Sequence, residues 1–474
     1  MSEQRASLEK SFSKLDVFSL AFGAMIGWGW VMLAGNWVQN GGWLGSIVAF
    51  AIGAVMCIFV GLCYAELTPM LPVTGGGLVY SYRAMGYGWS WVAAWSTAFA
   101  YLGVAAWEGI AISTAIDYLI NIPKIGYLWT LAGYDVYASW ALVGVICGAL
   151  IMWMNFKGAS ASAGFQNAAT IVLAIIGVVL VFGGAVKGNP EWMGPAFTNA
   201  KGLIAVMIMA PAMYVGFDVI PQAAEEMNVP LKQIPKVLFL AIAMASLWYI
   251  GMCFATAISA PHNITMNGKV PVADAFAYLF NASMWGKVVI VGGLAGIVTS
   301  WNGFIVGGAR VMFAMGRAKM LPPIFGTVNE KSGQPTAALL LIGFFVLISP
   351  FLGKNALVWF VDASSFGTVL IYLMVSISFL MLRKQEPNLS RPFKVSSGNL
   401  IGWLAVIMSV IFGVLYLPWS PGALVWPYEW VMLIIWGAIG VILAIWNKSA
   451  YSNVTSQERE LLIFGKELAR TDRL

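Results

Sequence analysis

The sequence predicts an all-α polytopic membrane protein of twelve transmembrane helices, with the first and sixth broken and two five-helix units related by inversion. Three observations carry this prediction. The chain is 60% hydrophobic and only 10% charged, where an ordinary soluble domain is about 25% charged. Its apolar residues fall into twelve runs, each close to the ~20 residues a helix needs to cross hydrocarbon. Two of those runs, at matching places in the two halves, carry helix-weakening residues at their centres.

In order, the runs lie near 16–39, 44–69, 89–114, 137–155, 164–186, 202–224, 235–259, 284–315, 336–353, 356–382, 400–418 and 428–447. The first is interrupted at Gly23-Ala24-Met25-Ile26-Gly27-Trp28-Gly29-Trp30, the sixth at Gly216-Phe217-Asp218-Val219-Ile220-Pro221. Glycine weakens a helix interior by about 1 kcal/mol and proline by about 3. Backbone groups freed at membrane depth persist only where protein, water or a bound ligand satisfies them. Breaks paired in this way are how secondary transporters form a midplane binding site. Residues 16–186 and 202–382 would then be the repeats, and an odd number of spans in each forces the second to insert upside down. Residues 400–447 add two further helices, and 1–15 and 448–474 are polar tails.

Orientation follows from positive charge, because lysine- and arginine-rich loops stay cytoplasmic. With both termini inside, twenty of the 26 basic residues, from Arg5 to Arg473, fall on the inner side. The outer side keeps Lys124, Lys187, Lys201, Lys269, Lys287 and Lys354. This describes an integral protein of the plasma (inner) membrane, whose net charge of +6 faces anionic lipid rather than nucleic acid. Cys57, Cys63, Cys147 and Cys253 all lie in spans without metal-ligand spacing, as small buried hydrophobes do. The outer loop near 260–284 holds Pro261, the single histidine His262, Gly268 and Pro271, then a stretch from Ala273 to Phe280 that reads as a short helix over the outer mouth.

At the first break the amides of Gly27, Trp28 and Gly29 open a half-helix whose positive dipole end suits a carboxylate. Carbonyls near Ala24, Tyr214 and Val215 suit an ammonium group, so the pair makes a receptor for an amino acid backbone. Close helix packing is the competing use of such glycines. Ionisable residues within spans are functional candidates because burying a charge there costs at least about 2.5 kcal/mol. Glu108, Asp218 and Asp362 qualify. Without deep basic partners they favour a cation, and Asp218 is the leading candidate for proton coupling, since desolvation disfavours the charged carboxylate. Capping of freed amides is its alternative role. Thr299 and Ser300 offer adjacent hydroxyls for sodium, or bonds within their own helix. Most of the 22 tryptophans suit interfacial belts, but Trp28 and Trp30 fall at the expected midplane, where they are candidates to wall the pocket or to pack.

The run Gly23 to Trp30 resembles the first-span signature of the amino acid–polyamine–organocation superfamily of transporters. Tyr64-Ala65-Glu66-Leu67-Thr68-Pro69, continuing to Gly75-Gly76-Gly77, Tyr80 and Tyr82, looks like its segment after the second span. Gly216-Phe217-Asp218 with Ala224-Glu225-Glu226 and Ile234-Pro235-Lys236 is similar to its sixth-span motif. Arg310, Gly316-Arg317, Leu321-Pro322 and Arg391-Pro392-Phe393-Lys394 match its later segments. The resemblance implies a leucine-transporter-type fold, alternating access, and an amino acid or related amine as substrate. Carried over by position, Ile26, Gly27, Trp28 and Gly29 hold the substrate carboxylate, Met213, Tyr214 and Gly216 its amine, and Asp218 stands where many members have a glutamate, an acid tied to proton sensing in the arginine/agmatine antiporter. Three departures stand out. Trp28 replaces a small residue, Ala212 stands at a gating tryptophan of the arginine/agmatine antiporter, and Leu173 falls where some proton-coupled members have a lysine.

The expected activity is secondary active transport of an amino acid or small amine, coupled to protons, with no cofactor or resident metal. Sodium coupling, or uncoupled exchange on the same fold, is the alternative. A solute-sensing receptor is the reading from another class, and an enzyme lacks any nucleophile or metal cluster in the sequence.

Overall fold

A computed structural model describes residues 8–267 and 270–470; Arg5, Lys269 and Arg473 of the charge count and Gly268 of the outer loop lie outside the described residues. In chain order the helices are α1 (Lys14–Met25), α2 (Gly29–Gly41), α3 (Trp43–Met70), α4 (Gly77–Met85), α5 (Tyr87–Ile120), α6 (Ala138–Lys157), α7 (Ala159–Lys187), α8 (Ala200–Tyr214) and α9 (Val219–Gln222). Then come α10 (Ile234–Ser259), α11 (His262–Asn267), α12 (Pro271–Leu279), α13 (Ser283–Arg317), α14 (Thr336–Ile348), α15 (Ala356–Gln385), α16 (Gly398–Leu415), α17 (Tyr428–Ala450) and α18 (Ser456–Leu468). An antiparallel hairpin of β1 (Tyr127–Leu131) and β2 (Tyr134–Tyr137) joins α5 to α6.

Among the described residues, ten helical segments are long and apolar enough to cross a membrane. The pair α1 and α2, bent by 41° at the residues between them, makes an eleventh. The run expected at 336–353 is the 13-residue α14, extended by a 3-10 turn to Leu352. At about 1.5 Å per residue, α14 alone rises only about 20 Å of a roughly 30 Å hydrocarbon core.

Local chemistry sets the helix starts. Ser13 opens α1 with a capping box, its hydroxyl accepting from the Asp16 amide at 3.3 Å while the Ser13 amide donates to Asp16 Oδ2 at 2.7 Å. The first tail is tied down beyond that cap, since the amides of Ser11 and Phe12 both donate to the Glu226 carbonyl. The long helix α5 is the most buried and is pressed against both α13 and α15, while α3 packs on α10. By contrast α17 buries little of its length, as a helix facing lipid does.

Besides the short α11, three elements lie outside the sequence expectation. The hairpin, α4 and the tail helix α18 all occupy stretches too short or too polar to read as spans, and each is held by tertiary contacts. The short helix expected over Ala273–Phe280 is α12, seated against α2, α10 and α13. His262 begins α11.

Candidate functional site

The first break lies where Ile26 leaves helical geometry at φ −108° and ψ 75°. Its freed carbonyl at Met25 accepts a 2.6 Å hydrogen bond from the Tyr249 hydroxyl of α10. The amides of Gly27 and Trp28 donate to no backbone carbonyl among the described residues, and the first turn of α2 adds further unpaired amides, as every helix start does. Glu108, from α5, stands against this opening. A Cβ on Gly27 would collide with Glu108 Oε1 and lie 2.9 Å from Ser300 Oγ. Glu108 is wholly buried, and neither of its carboxyl oxygens completes a hydrogen bond. The Ser300 hydroxyl and the Trp28 amide face it without closing one.

The second break spans Val215 to Asp218, and only one helical turn, α9, continues beyond it. Gly216 sits at φ +137°, a conformation L side chains rarely adopt. A Cβ there would lie 2.8 Å from the Met25 amide nitrogen and 2.9 Å from the Ala24 Cβ, so the two breaks touch. Asp218 Oδ1 accepts from the Gly216 amide at 2.9 Å, the capping role foreseen as its alternative. Its other oxygen, Oδ2, is buried without a hydrogen bond, and so are the hydroxyls of Tyr64, Tyr101 and Tyr372 and both ends of the Gln222 amide. The Tyr101 hydroxyl faces Asp218. Orphaned polar atoms in one buried neighbourhood mark a place that water or a passing solute satisfies.

Where the breaks meet lies a cavity of about 20 Å³, space for about one water and too tight for an amino acid. The structure is therefore a contracted form of the site. Ala24, Gly27, Trp28, Gly29, Met213, Glu108 and Ser300 line it. Ile26, Tyr214, Val215, Gly216 and Asp218 are buried around it but do not form its wall. The Tyr214 hydroxyl points away, donating to the Phe50 carbonyl at 3.2 Å. Met213 packs on Gly29, where a Cβ would lie 2.5 Å from its sulfur. Trp28 lies against Gly293 of α13. Trp30 is wholly buried without lining the cavity, and meets Trp248 edge-on at 5.3 Å. Met25, Val104, Ala212 and Val361 line it too, and Trp107, Tyr249, Phe304 and Phe360 complete the wall; these four aromatics sit in plain apolar runs without a signal of their own.

Thr299 donates to the Gly296 carbonyl of its own helix at 3.0 Å. Beside it, Gln166 of α7 donates to the carbonyls of Ser19 and Thr299, both at 3.0 Å, filling the space between α1 and α13. Gln166 in turn accepts from Asn302 at 3.1 Å. Leu173 lies seven residues, about two turns, further along α7 and is fully buried. Asp362 stands apart from the cavity on α15, beside Glu429 of α17. No group of three or more metal-ligating side chains occurs among the described residues.

The remaining motif residues meet at the end of the bundle that holds the two tails. Glu226 pairs with Arg310 through two 2.7 Å bonds, and Arg310 also reaches Gln334 at 3.0 Å. Glu225 pairs with Arg317 at 2.9 Å. Glu66 accepts from both Arg383 and Arg391. Arg83 bridges Glu386 and Glu460 and donates to the Leu468 carbonyl, joining α4, the end of α15 and α18.

Interrupted helices that meet at a buried cavity, inside an otherwise unbroken bundle of membrane helices, define a membrane transport protein of the secondary-carrier class. The sequence pattern of the amino acid permease family matches residues 12–442. The chain belongs to that family, whose members are transporters and not enzymes, and the family implies the leucine-transporter-type fold. The methylthioribose transporter of Bacillus subtilis (strain 168) is 26% identical over 451 residues, covering 92% of this chain and 93% of that protein. The branched-chain amino acid permease BcaP of the same organism is 25% identical over 453 residues, covering 92% of each. The cationic amino acid transporter 4 of Mus musculus is 25% identical over 407 residues, 82% of this chain and 62% of that protein.

Proposed function

We propose that the protein is a proton-coupled secondary transporter of an amino acid with an apolar side chain, working by alternating access at the cavity between the two breaks. In this reading α14 counts as the ninth of twelve spans, residues 16–186 and 202–382 are the inverted repeats, 400–447 are accessory helices, and both tails are cytoplasmic in the plasma membrane. The single observation that carries it is Glu108. Its carboxyl group stands unpartnered at the open amides of the first break, where a substrate carboxylate would dock.

As an anion Glu108 competes with that carboxylate for the same amides and repels it; protonated, it leaves the amides to the substrate. Loading then requires a proton, and release of the proton on the far side helps expel the substrate. Asp218, with one oxygen free below the cavity, is the second proton carrier. The wall of Trp28, Trp107, Met213, Phe304 and Phe360 offers no charge to a substrate side chain, and one relative is named for branched-chain amino acids. A sodium-coupled mechanism has less support, because the Thr299 hydroxyl donates within its own helix and the Gln166 amide fills the space beside it.

Purified protein in liposomes, offered labelled leucine or valine under an imposed pH gradient, should accumulate one of them, and sodium should make no difference. Glu108→Gln should abolish pH-driven accumulation while counterflow exchange persists, and Asp218→Asn should slow it. Full pH-driven accumulation by Glu108→Gln would remove that residue from coupling. No uptake or exchange of any amino acid or amine would refute the transport reading and favour a solute sensor.

A further inference from the structure

A second hollow, of about 420 Å³, lies between α5, α14, α15 and α17. That size is within the range of ligand pockets, about 300–1,000 Å³. On α5 it is lined by Leu102, Gly103 and Ala106, whereas Val104, Trp107 and Glu108 face the central cavity. At about 100° per residue these sets lie on nearly opposite sides of the helix.

Its lining is apolar almost throughout, and its mouth is formed by Ile348, Val431 and Ile435, all exposed. The mouth is continuous with the exposed apolar surface of the spans at Phe344, Ile434 and Ile442, which is the face this membrane protein presents to lipid. Where α15 and α17 begin, Trp359 and Tyr428 stack at 4.1 Å and 8° and close that end of the hollow, as aromatic side chains do at a membrane interface. Inside hydrocarbon there is no water to fill such a space, and unfilled apolar walls forfeit their dispersion contacts.

We propose that this groove is a binding site for one acyl chain of a membrane phospholipid, with the headgroup at the Trp359–Tyr428 end. The chain has a route to the transport site. Phe360 lines both hollows, so a seated chain supports the wall against which substrate would pack. This second step rests on the central cavity being the substrate site; the lipid site itself does not.

The test uses the full chain in nanodiscs of phosphatidylcholine containing a phosphatidylcholine spin-labelled near mid-chain. Val431→Trp/Ile435→Trp fills the mouth from two exposed positions that touch neither break. Wild type should show a motionally restricted lipid component larger than that of the double variant by about one lipid per chain, and native mass spectrometry should find one phospholipid on wild type after detergent exchange. Equal restricted components, or wild type stripped of all phospholipid, would overturn the site. Loss of a two-chain species in the variant, with no loss of lipid, would assign the groove to a second copy and overturn it too. Should the double variant fail to fold, the wild-type mass measurement decides alone. If lipid is displaced and the half-saturating substrate concentration stays unchanged, the coupling through Phe360 is wrong while the site stands.

Discussion

Apart from the Asp362–Glu429 pair, the buried acids among the described residues fall in two regions, and their company differs. At the end that holds the tails, Glu66, Glu226 and Glu460 are each matched by an arginine from another part of the chain. At the helix breaks, Glu108 and Asp218 are buried as deeply, yet Glu108 makes no hydrogen bond and Asp218 leaves one oxygen free. The difference teaches how to read a buried charge. A paired acid with its hydrogen bonds completed ties elements together, and it is hard to move. An acid held without a partner costs stability and is kept where a proton or a solute completes it.

Breaking one partner of a completed pair should have the largest effect. Arg310→Met leaves Glu226 buried and uncompensated, and should cost about 3–5 kcal/mol, read as a large fall in the thermal transition of the purified protein. The double change Arg310→Met/Glu226→Met should recover most of it. Glu108→Gln, in contrast, should leave the transition unchanged or raise it. A Glu108→Gln protein as unstable as Arg310→Met would erase the distinction between the two regions.

The next effect is on the meeting of the breaks. Gly216→Ala forces a side chain into a left-handed conformation and against the Met25 amide, a strain of order 1–3 kcal/mol. Transport should fall about fivefold or more, as about 1.4 kcal/mol corresponds to a factor of ten, while the paired acids and the docking of α18 are untouched. Normal uptake by this variant would mean the breaks need not touch.

The smallest effect sharpens the paired side. Burial pushes the Glu386 carboxyl up, but the hydrogen bonds and charges of Arg83 and Arg470 outweigh it and leave its pKa below the ordinary glutamate value. A lowered folded pKa stabilises above the unfolded value of about 4.3 and is lost as pH falls through the folded one. Proteolytic release of α18 should therefore rise on acidification below about pH 4, and Glu386→Gln should show weaker docking at neutral pH with a flatter acid limb. Identical acid profiles would detach Glu386 from the latch.

The sequence exposes the motif Glu66, Glu225, Glu226, Arg310, Arg317 and Arg391 but not that its members answer one another. Glu226 and Arg310 are 84 positions apart, Glu66 and Arg383 317 apart, and no spacing rule spans such distances. The candidate site shows the same limit. Gly27, Trp28 and Gly29 are visible as a weak place in a helix, because glycine acts on its own backbone. Glu108 is visible only as one charge in an apolar run; that it faces Gly27 follows from how α5 crosses the first break. Gln166 gave no signal, since an amide in a span is remarkable only beside the carbonyls it fills.

By itself, then, the amino-acid sequence determined which stretches are apolar enough to cross a membrane and where two helices fail. Hydrophobic transfer and backbone propensity are properties of neighbouring residues, additive along the chain and readable from it. Only the tertiary structure decided which acids are neutralised, which stand open, that the two breaks touch, and that the cavity at the first break has an apolar groove behind its wall. Hydrogen bonds and ion pairs act over a few ångströms between residues far apart in sequence, so their partners exist only once the helices have packed.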